Sequence, residues 1–122
     1  MAALVAGRGR GADKGVLGIA PKAMILPIQI APTSTSAADL AFSARVPRVV
    51  AVGAVDHNGE RAARPELTLV APGADITAVD ADGEARTATG ASDANALVAG
   101  AVALIRAKYP QLKGPTWFAG SP

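Results

Sequence analysis

The chain contains one histidine, His57, and no cysteine. Nucleophilic chemistry in it therefore falls to an alcohol, and the serine that stands out is Ser92. It follows Gly90-Ala91 and opens a run of small apolar residues that reads as a helix. At a helix N-terminus the backbone N–H groups point outward and favour developing negative charge. That position suits a serine attacking a carbonyl. The same residue also reads as a plain N-cap, and local chemistry alone favours the cap, because serine is among the commonest capping residues. A serine hydroxyl near neutral pH needs a base within hydrogen-bond reach, and the base needs an orienting group. His57 stands between Asp56 and Asn58 in turn-forming sequence. It reads first as a solvated turn residue and only second as a replacement base.

Other candidate sites are weaker. Asp80-Ala81-Asp82-Gly83 has part of a calcium-loop pattern, but the later ligands and the closing glutamate are missing, so a hairpin turn is favoured. Gly7-Arg8-Gly9-Arg10-Gly11 could touch phosphate or RNA, but no aromatic lies nearby to stack a base, and two loop arginines are usually just solvated. There is no Walker or dinucleotide fingerprint, and without cysteine there is no thiolate metal site. No cofactor or metal is expected.

The elements that must position Ser92 can be read from pattern. Ser92 to Tyr109 is the strongest helix, with Ser92 or Asp93 as cap, an acid in the first turn, Lys108 in the last and Pro110 as terminator. Its small residues, Ala96, Ala99, Gly100, Ala101 and Ala103, suit close approach to other backbone inside the protein. Ala2 to Ala6 reads as a helix end stopped by Gly7. Met24 to Ile30, Arg48 to Val55 and Leu67 to Ala71 read as buried strands, although Pro27 argues against a central place for the first. Asp56 to Gly59 is a turn, with Asn58-Gly59 supplying positive φ. Ile76 to Val79 and Ala85 to Ala88 form a hairpin. Ala31 to Ala44 reads as a linker.

Composition narrows the class. A length of 122 residues makes one small domain. Half the residues are hydrophobic, which argues against intrinsic disorder. The longest apolar run, Ala96 to Ile105, is about half of the ~20 residues that a bilayer span needs. A net charge of +2 argues for neither nucleic acid nor anionic membrane as partner. Met1 to Gly7 is apolar but has its arginines after it, the wrong order for a secretory signal peptide. The chain is expected either to be cytoplasmic or to begin downstream of a signal.

Four segments together resemble the subtilases, the subtilisin-like serine peptidases. Gly90-Ala91-Ser92-Asp93-Ala94 with Val98-Ala99-Gly100-Ala101-Val102-Ala103-Leu104 and Tyr109-Pro110 is similar to the family's nucleophile segment, Gly-Thr-Ser-x-Ala followed by a Val-Ala-Gly helix. Val49 to Asp56 resembles its late strand, and Val70 to Ile76 its Ala-Pro-Gly turn. Gly18 to Ala23 with Ile25-Leu26-Pro27 resembles the segment after its histidine helix. Ser92-Asp93-Ala94 with Val-Ala-Gly is nearest to the mycosin-type peptidases of actinobacterial type VII secretion. The resemblance implies an α/β fold: an incomplete subtilisin-like, doubly wound, mostly parallel sheet with a buried C-terminal helix. It implies Ser92 as the catalytic nucleophile, its amide as half of an oxyanion hole, a peptide or protein substrate, and a secreted or envelope-associated family.

The departures are as informative. The family's aspartate and its His-Gly-Thr histidine would lie before Met1, and its Ala-Ala-Gly-Asn motif is absent, as if deleted at 31–44. Ala91 replaces threonine and Ala96 replaces proline. Loss of an oxyanion donor alone costs ~10²–10³ in rate. The expectation is a partial domain over 1–112 with a loose N-terminal third, a linker at 31–44, a compact part from about Val46 to Leu112 and an irregular tail over 113–122. Such a chain should be inactive alone. The rival readings are an interaction module associating through exposed sheet edges, a gene remnant, and an enzyme completed in trans.

Overall fold

The computed structural model describes residues 1–9, 15–27, 49–60, 67–80 and 82–112. In chain order the elements are α1 (Ala2–Ala6), β1 (Val52–Val55), β2 (Leu69–Pro72), β3 (Ile76–Val79), β4 (Ala85–Ala88) and α2 (Ala91–Lys108). β1 and β2 pair in parallel, with Val52 opposite Leu69 and Val55 opposite Pro72. β3 and β4 pair antiparallel, with Ile76 opposite Ala88 and Val79 opposite Ala85. α2 packs across both parallel strands, and α1 packs on α2. This is an α/β fold, an incomplete parallel sheet covered by a C-terminal helix.

The two parallel strands are uniformly apolar, as strands covered by helices tend to be. β1 is shorter than the run from Arg48, because Val49 to Ala51 are outside the ladder. β2 runs one residue past its expected end. Pro72 is tolerated in the last register position because Gly73 N–H makes the next bond, to Val55 O at 3.1 Å. The hairpin falls where its turn residues put it. Gly83 takes φ +82, and Asp80 Oδ1 accepts the N–H groups of Asp82 and Glu84.

The apolar run Met24 to Ile30 predicts a buried strand, and the structure corrects this over the described part. Residues 24–27 form no strand, with Met24 95% and Leu26 81% exposed. No described strand lies beside them to complete a ladder, and apolar content without a pairing partner makes no sheet. Residues 28–30, the linker 31–44 and the tail 113–122 lie outside the described residues.

The capping expectation for α2 is also corrected. The N-cap is Gly90, and neither Ser92 nor Asp93 makes a side-chain cap bond. The helix starts one residue early, so Ser92 falls in its second position and cannot reach back as a cap. α2 is buried along one stripe, Asp93, Ala94, Ala96 and Gly100. The expectation of a helix enclosed by other backbone is corrected: Ala96 and Gly100 are buried, but Ala99 and Ala101 are exposed, so α2 is covered on one face only. On the covered face the small residues serve proximity, since a Cβ on Gly100 would stand 2.7 Å from Ile19 Cβ. At the other end Tyr109 N–H bonds Ile105 O, and Pro110 follows.

The core is small. Leu4, Ala78 and Ala96 form its centre, with Val5, Val16 and Ile76 against it. Leu4, from the short α1, is the one large side chain of that centre, so the N-terminal helix contributes directly to the packing that supports α2. α1 ends at Gly7 as expected, but not through left-handed backbone: φ is −58. A glycine is required there because Val16 O and Ala3 O approach where a Cβ would stand. Among the described residues no helix is long and apolar enough to cross a membrane.

Candidate functional site

The carboxyl ends of β1 and β2 and the amino end of α2 meet at one edge of the molecule, where open α/β sheets place their ligands. Backbone bonds fix this edge. Gly90 N–H donates to Gly73 O at 2.7 Å, tying the start of α2 to the corner after β2. Gly73 has no room for a side chain, since a Cβ would collide with Ala54 Cβ and stand 2.8 Å from Gly90 O. The Ala-Pro-Gly turn and the Gly-Ala-Ser segment are therefore locked together by main chain.

Ser92 sits in the first turn of α2, with its side chain exposed. Asp93 and Ala94 N–H groups both turn to Gly90 O, at 3.2 and 3.4 Å. No described residue accepts from the Ala91 and Ser92 N–H groups, which are the orphan donors of a helix start. Ser92 borders a groove of about 630 Å³, shared with Asn95 and Ala96 of α2, Ala2 and Val5 of α1, and Ile25. The arrangement combines an accessible hydroxyl, amides free to meet negative charge and an adjoining apolar cleft.

The base is elsewhere. His57 lies in the turn after β1, where Asp56 N–H bonds Glu60 O and Gly59 takes φ +77. Its Nε2 lies 2.7 Å from Asp75 Oδ2, with the two side chains 69% and 65% exposed. The turn placement follows the sequence reading, but the carboxylate partner does not. Two residues 18 positions apart carry no local signal of such pairing. Asp56 is occupied within its own turn, its Oδ1 accepting the Asn58 and Glu60 N–H groups. Among the described residues no imidazole or carboxylate hydrogen-bonds the Ser92 hydroxyl.

The residue beside the serine is unusual. Asp93 is only 4% exposed, and its Oδ1 is buried without a hydrogen-bond partner among the described residues. It stands three residues after the N-cap, where an acid commonly accepts the N-cap N–H. That N–H is already given to Gly73 O. The sequence shows an acid in the first turn but not that its usual donor is taken. Among the described residues no group of three or more potential ligands gathers to hold a metal. The Asp80 loop uses its carboxylate to close the hairpin turn.

With this geometry in view, comparison with known proteins is decisive for the family. The profile of the Subtilase family matches residues 32–118, which include β1, β2, Ser92 and all of α2. The chain belongs to the subtilase family. A thermostable alkaline protease from Halalkalibacterium halodurans is 37% identical over 73 residues, 57% of this chain and 20% of that protein. Subtilisin DY from Bacillus licheniformis is 38% identical over 84 residues, 66% of this chain and 31% of the relative. Subtilisin E from Bacillus subtilis is 38% identical over 82 residues, covering 64% and 22%. A crystal structure of a cold-adapted subtilisin-like serine proteinase matches with a TM-score of 0.52 at 32% identity, over 63% of this chain and 29% of that one. The chain thus spans between about a fifth and a third of the subtilases it matches.

Proposed function

We propose that this chain is the nucleophile-bearing part of a subtilisin-like serine peptidase, and that it does not hydrolyse peptides at a useful rate by itself. The observation that carries the reading is the setting of Ser92: an exposed hydroxyl in the first turn of an 18-residue helix, beside a cleft, with its own N–H unclaimed by any described residue. In peptide hydrolysis the Ser92 Oγ attacks the scissile carbonyl carbon as its proton passes to a base. The oxyanion that forms accepts the Ser92 N–H, and the leaving amine takes a proton as the acyl-enzyme forms. This chain supplies the attacking atom and one oxyanion donor. Its single histidine is engaged with Asp75. A histidine base, its orienting acid and a second oxyanion donor would have to come from other polypeptide.

We further propose that residues 1–112 form a partial peptidase domain, with 31–44 a linker where the middle strands are replaced and 113–122 a tail. The mycosin-type likeness, and with it an actinobacterial origin and a link to type VII secretion, is carried by Ser92-Asp93-Ala94 with Val98-Ala99-Gly100. A second reading, a non-catalytic interaction module, is favoured by the exposure of Met24 and Leu26 and by a parallel sheet of only two described strands. Such a sheet is marginal without further strands or packing.

A fluorophosphonate probe tests the proposal. The purified chain should show no labelling at Ser92 by intact mass, and labelling should appear once a polypeptide supplying the base and donor is added. Labelling of the chain alone that Ser92→Ala abolishes would refute the claim of inactivity.

A further inference from the structure

The His57–Asp75 pair has no part in the proposed reaction, yet it is built into the edge that carries Ser92. The ring must carry a proton on Nε2 to donate to Asp75 Oδ2. At 2.7 Å the contact has the length of a charge-assisted bond. Asp75 is the one non-glycine residue with positive φ among the described residues, at +52. Its backbone N–H donates to Thr89 Oγ1 at 3.0 Å. Two residues earlier, Gly73 O accepts the Gly90 N–H. The corner 73–75 therefore faces the turn of β1 on one side and the N-cap of α2 on the other.

We propose that His57 and Asp75 form a pH-sensitive staple that holds this corner against the amino end of α2. When the imidazole is doubly protonated the contact is an ion pair. When the ring is neutral it is an ordinary hydrogen bond. The staple is therefore tighter with the ring charged than with it neutral. Thr89 Oγ1 and Gly90 N–H carry that difference to the helix start, two residues from Ser92. Among the described residues, the other ionisable groups on the elements that meet at this corner are Asp56 and Glu60 in the same turn and Asp93 in the first turn of α2. The inference holds whether or not Ser92 acts as a nucleophile. Both partners are largely exposed, so its size is that of a surface pair: about two- to fivefold in a local opening equilibrium, and less in high salt.

Amide NMR of the 122-residue chain across the imidazole range tests it, with His57→Gln and Asp75→Gly as variants. Glycine accepts the positive φ at position 75, so the second variant removes the carboxylate without forcing the backbone. The Asp75, Thr89 and Gly90 amides should titrate with the midpoint of the His57 ring. Both variants should abolish that dependence at Thr89 and Gly90. Gly90 N–H exchange should rise about two- to fivefold in the variants at acid pH. Amides at 89 and 90 that ignore the His57 midpoint, or that titrate unchanged in His57→Gln, would overturn the proposal and assign the response to the carboxylates.

Discussion

Replacing Asp93 with alanine should stabilise the chain. Asp93 is 4% exposed, and its Oδ1 is buried with no donor among the described residues. A buried acceptor left unsatisfied costs ~1–3 kcal/mol, and more when charged. Against this, a carboxylate in the first turn of a helix gains ~0.3–1 kcal/mol from the positive end of the dipole. Alanine also outranks aspartate in helix propensity by up to ~0.7 kcal/mol. The removed atoms leave a small void, which takes back part of the gain. The net expectation is about 1 kcal/mol of added stability, or roughly 4 °C in Tm for a chain of 122 residues. Asp93→Asn keeps the shape and an acceptor while removing the charge, so its gain should be smaller. The assay is thermal and urea unfolding followed by far-ultraviolet circular dichroism, with an unchanged m-value showing that the two states compared are the same. A loss of stability of about 1 kcal/mol or more in Asp93→Ala, equal in size to the expected gain, would refute the reasoning. It would mean that Oδ1 has a donor, or that the dipole outweighs the burial.

Two other substitutions separate function from packing. Ser92→Ala should change stability by less than about 0.5 kcal/mol, because Gly90 is the cap and the Ser92 side chain is exposed. A cost near the ~1 kcal/mol of a lost N-cap would show that the hydroxyl caps the helix after all. Gly100→Ala should destabilise, because the new Cβ would stand 2.7 Å from Ile19 Cβ and 3.6 Å from Val5 O. Overpacking costs ~1–3 kcal/mol, from which about 1 kcal/mol of helix propensity is recovered. A rise in Tm on unfolding would show that α1 and the Ile19 segment do not lie against α2 as described.

Local signals were the legible part of this chain. The hairpin at 76–88, the Asp56–Gly59 turn and the helix to Lys108 were written in residues close in sequence: Gly83, Gly59, Pro110 and the run of small apolar side chains. Ser92 was marked by its neighbours and by the family pattern. What stayed hidden depended on distant partners. Met24 to Pro27 has a strand's composition, but a strand exists only where another strand lies beside it. The pairing of His57 with Asp75 needs the β1 turn and the β2–β3 corner to meet, which no spacing rule announces. The cap shifted from Ser92 to Gly90 because the Gly90 N–H is held by Gly73 O, a contact between segments 17 residues apart.

The same contact explains how a chain covering about a third or less of its relatives holds the start of α2, and Ser92 with it, in place. Side-chain placement in an enzyme usually rests on packing contributed by the whole domain. Here the decisive constraints are main-chain ones: Gly90 N–H on Gly73 O, Gly73 N–H on Val55 O, and a glycine at 73 where nothing larger fits. Each lies between residues 55 and 90, and each needs only β1, β2 and the start of α2. The Ser92 amide at the start of α2 is therefore set by a unit that β1, β2 and this helix start form. The proton acceptor is a separate requirement, because a base must approach the hydroxyl from outside that unit. Geometry for negative charge and means of activation are thus carried by different parts of the fold. The first does not depend on the second, so an ordered Ser92 and an unlabelled Ser92 are compatible expectations.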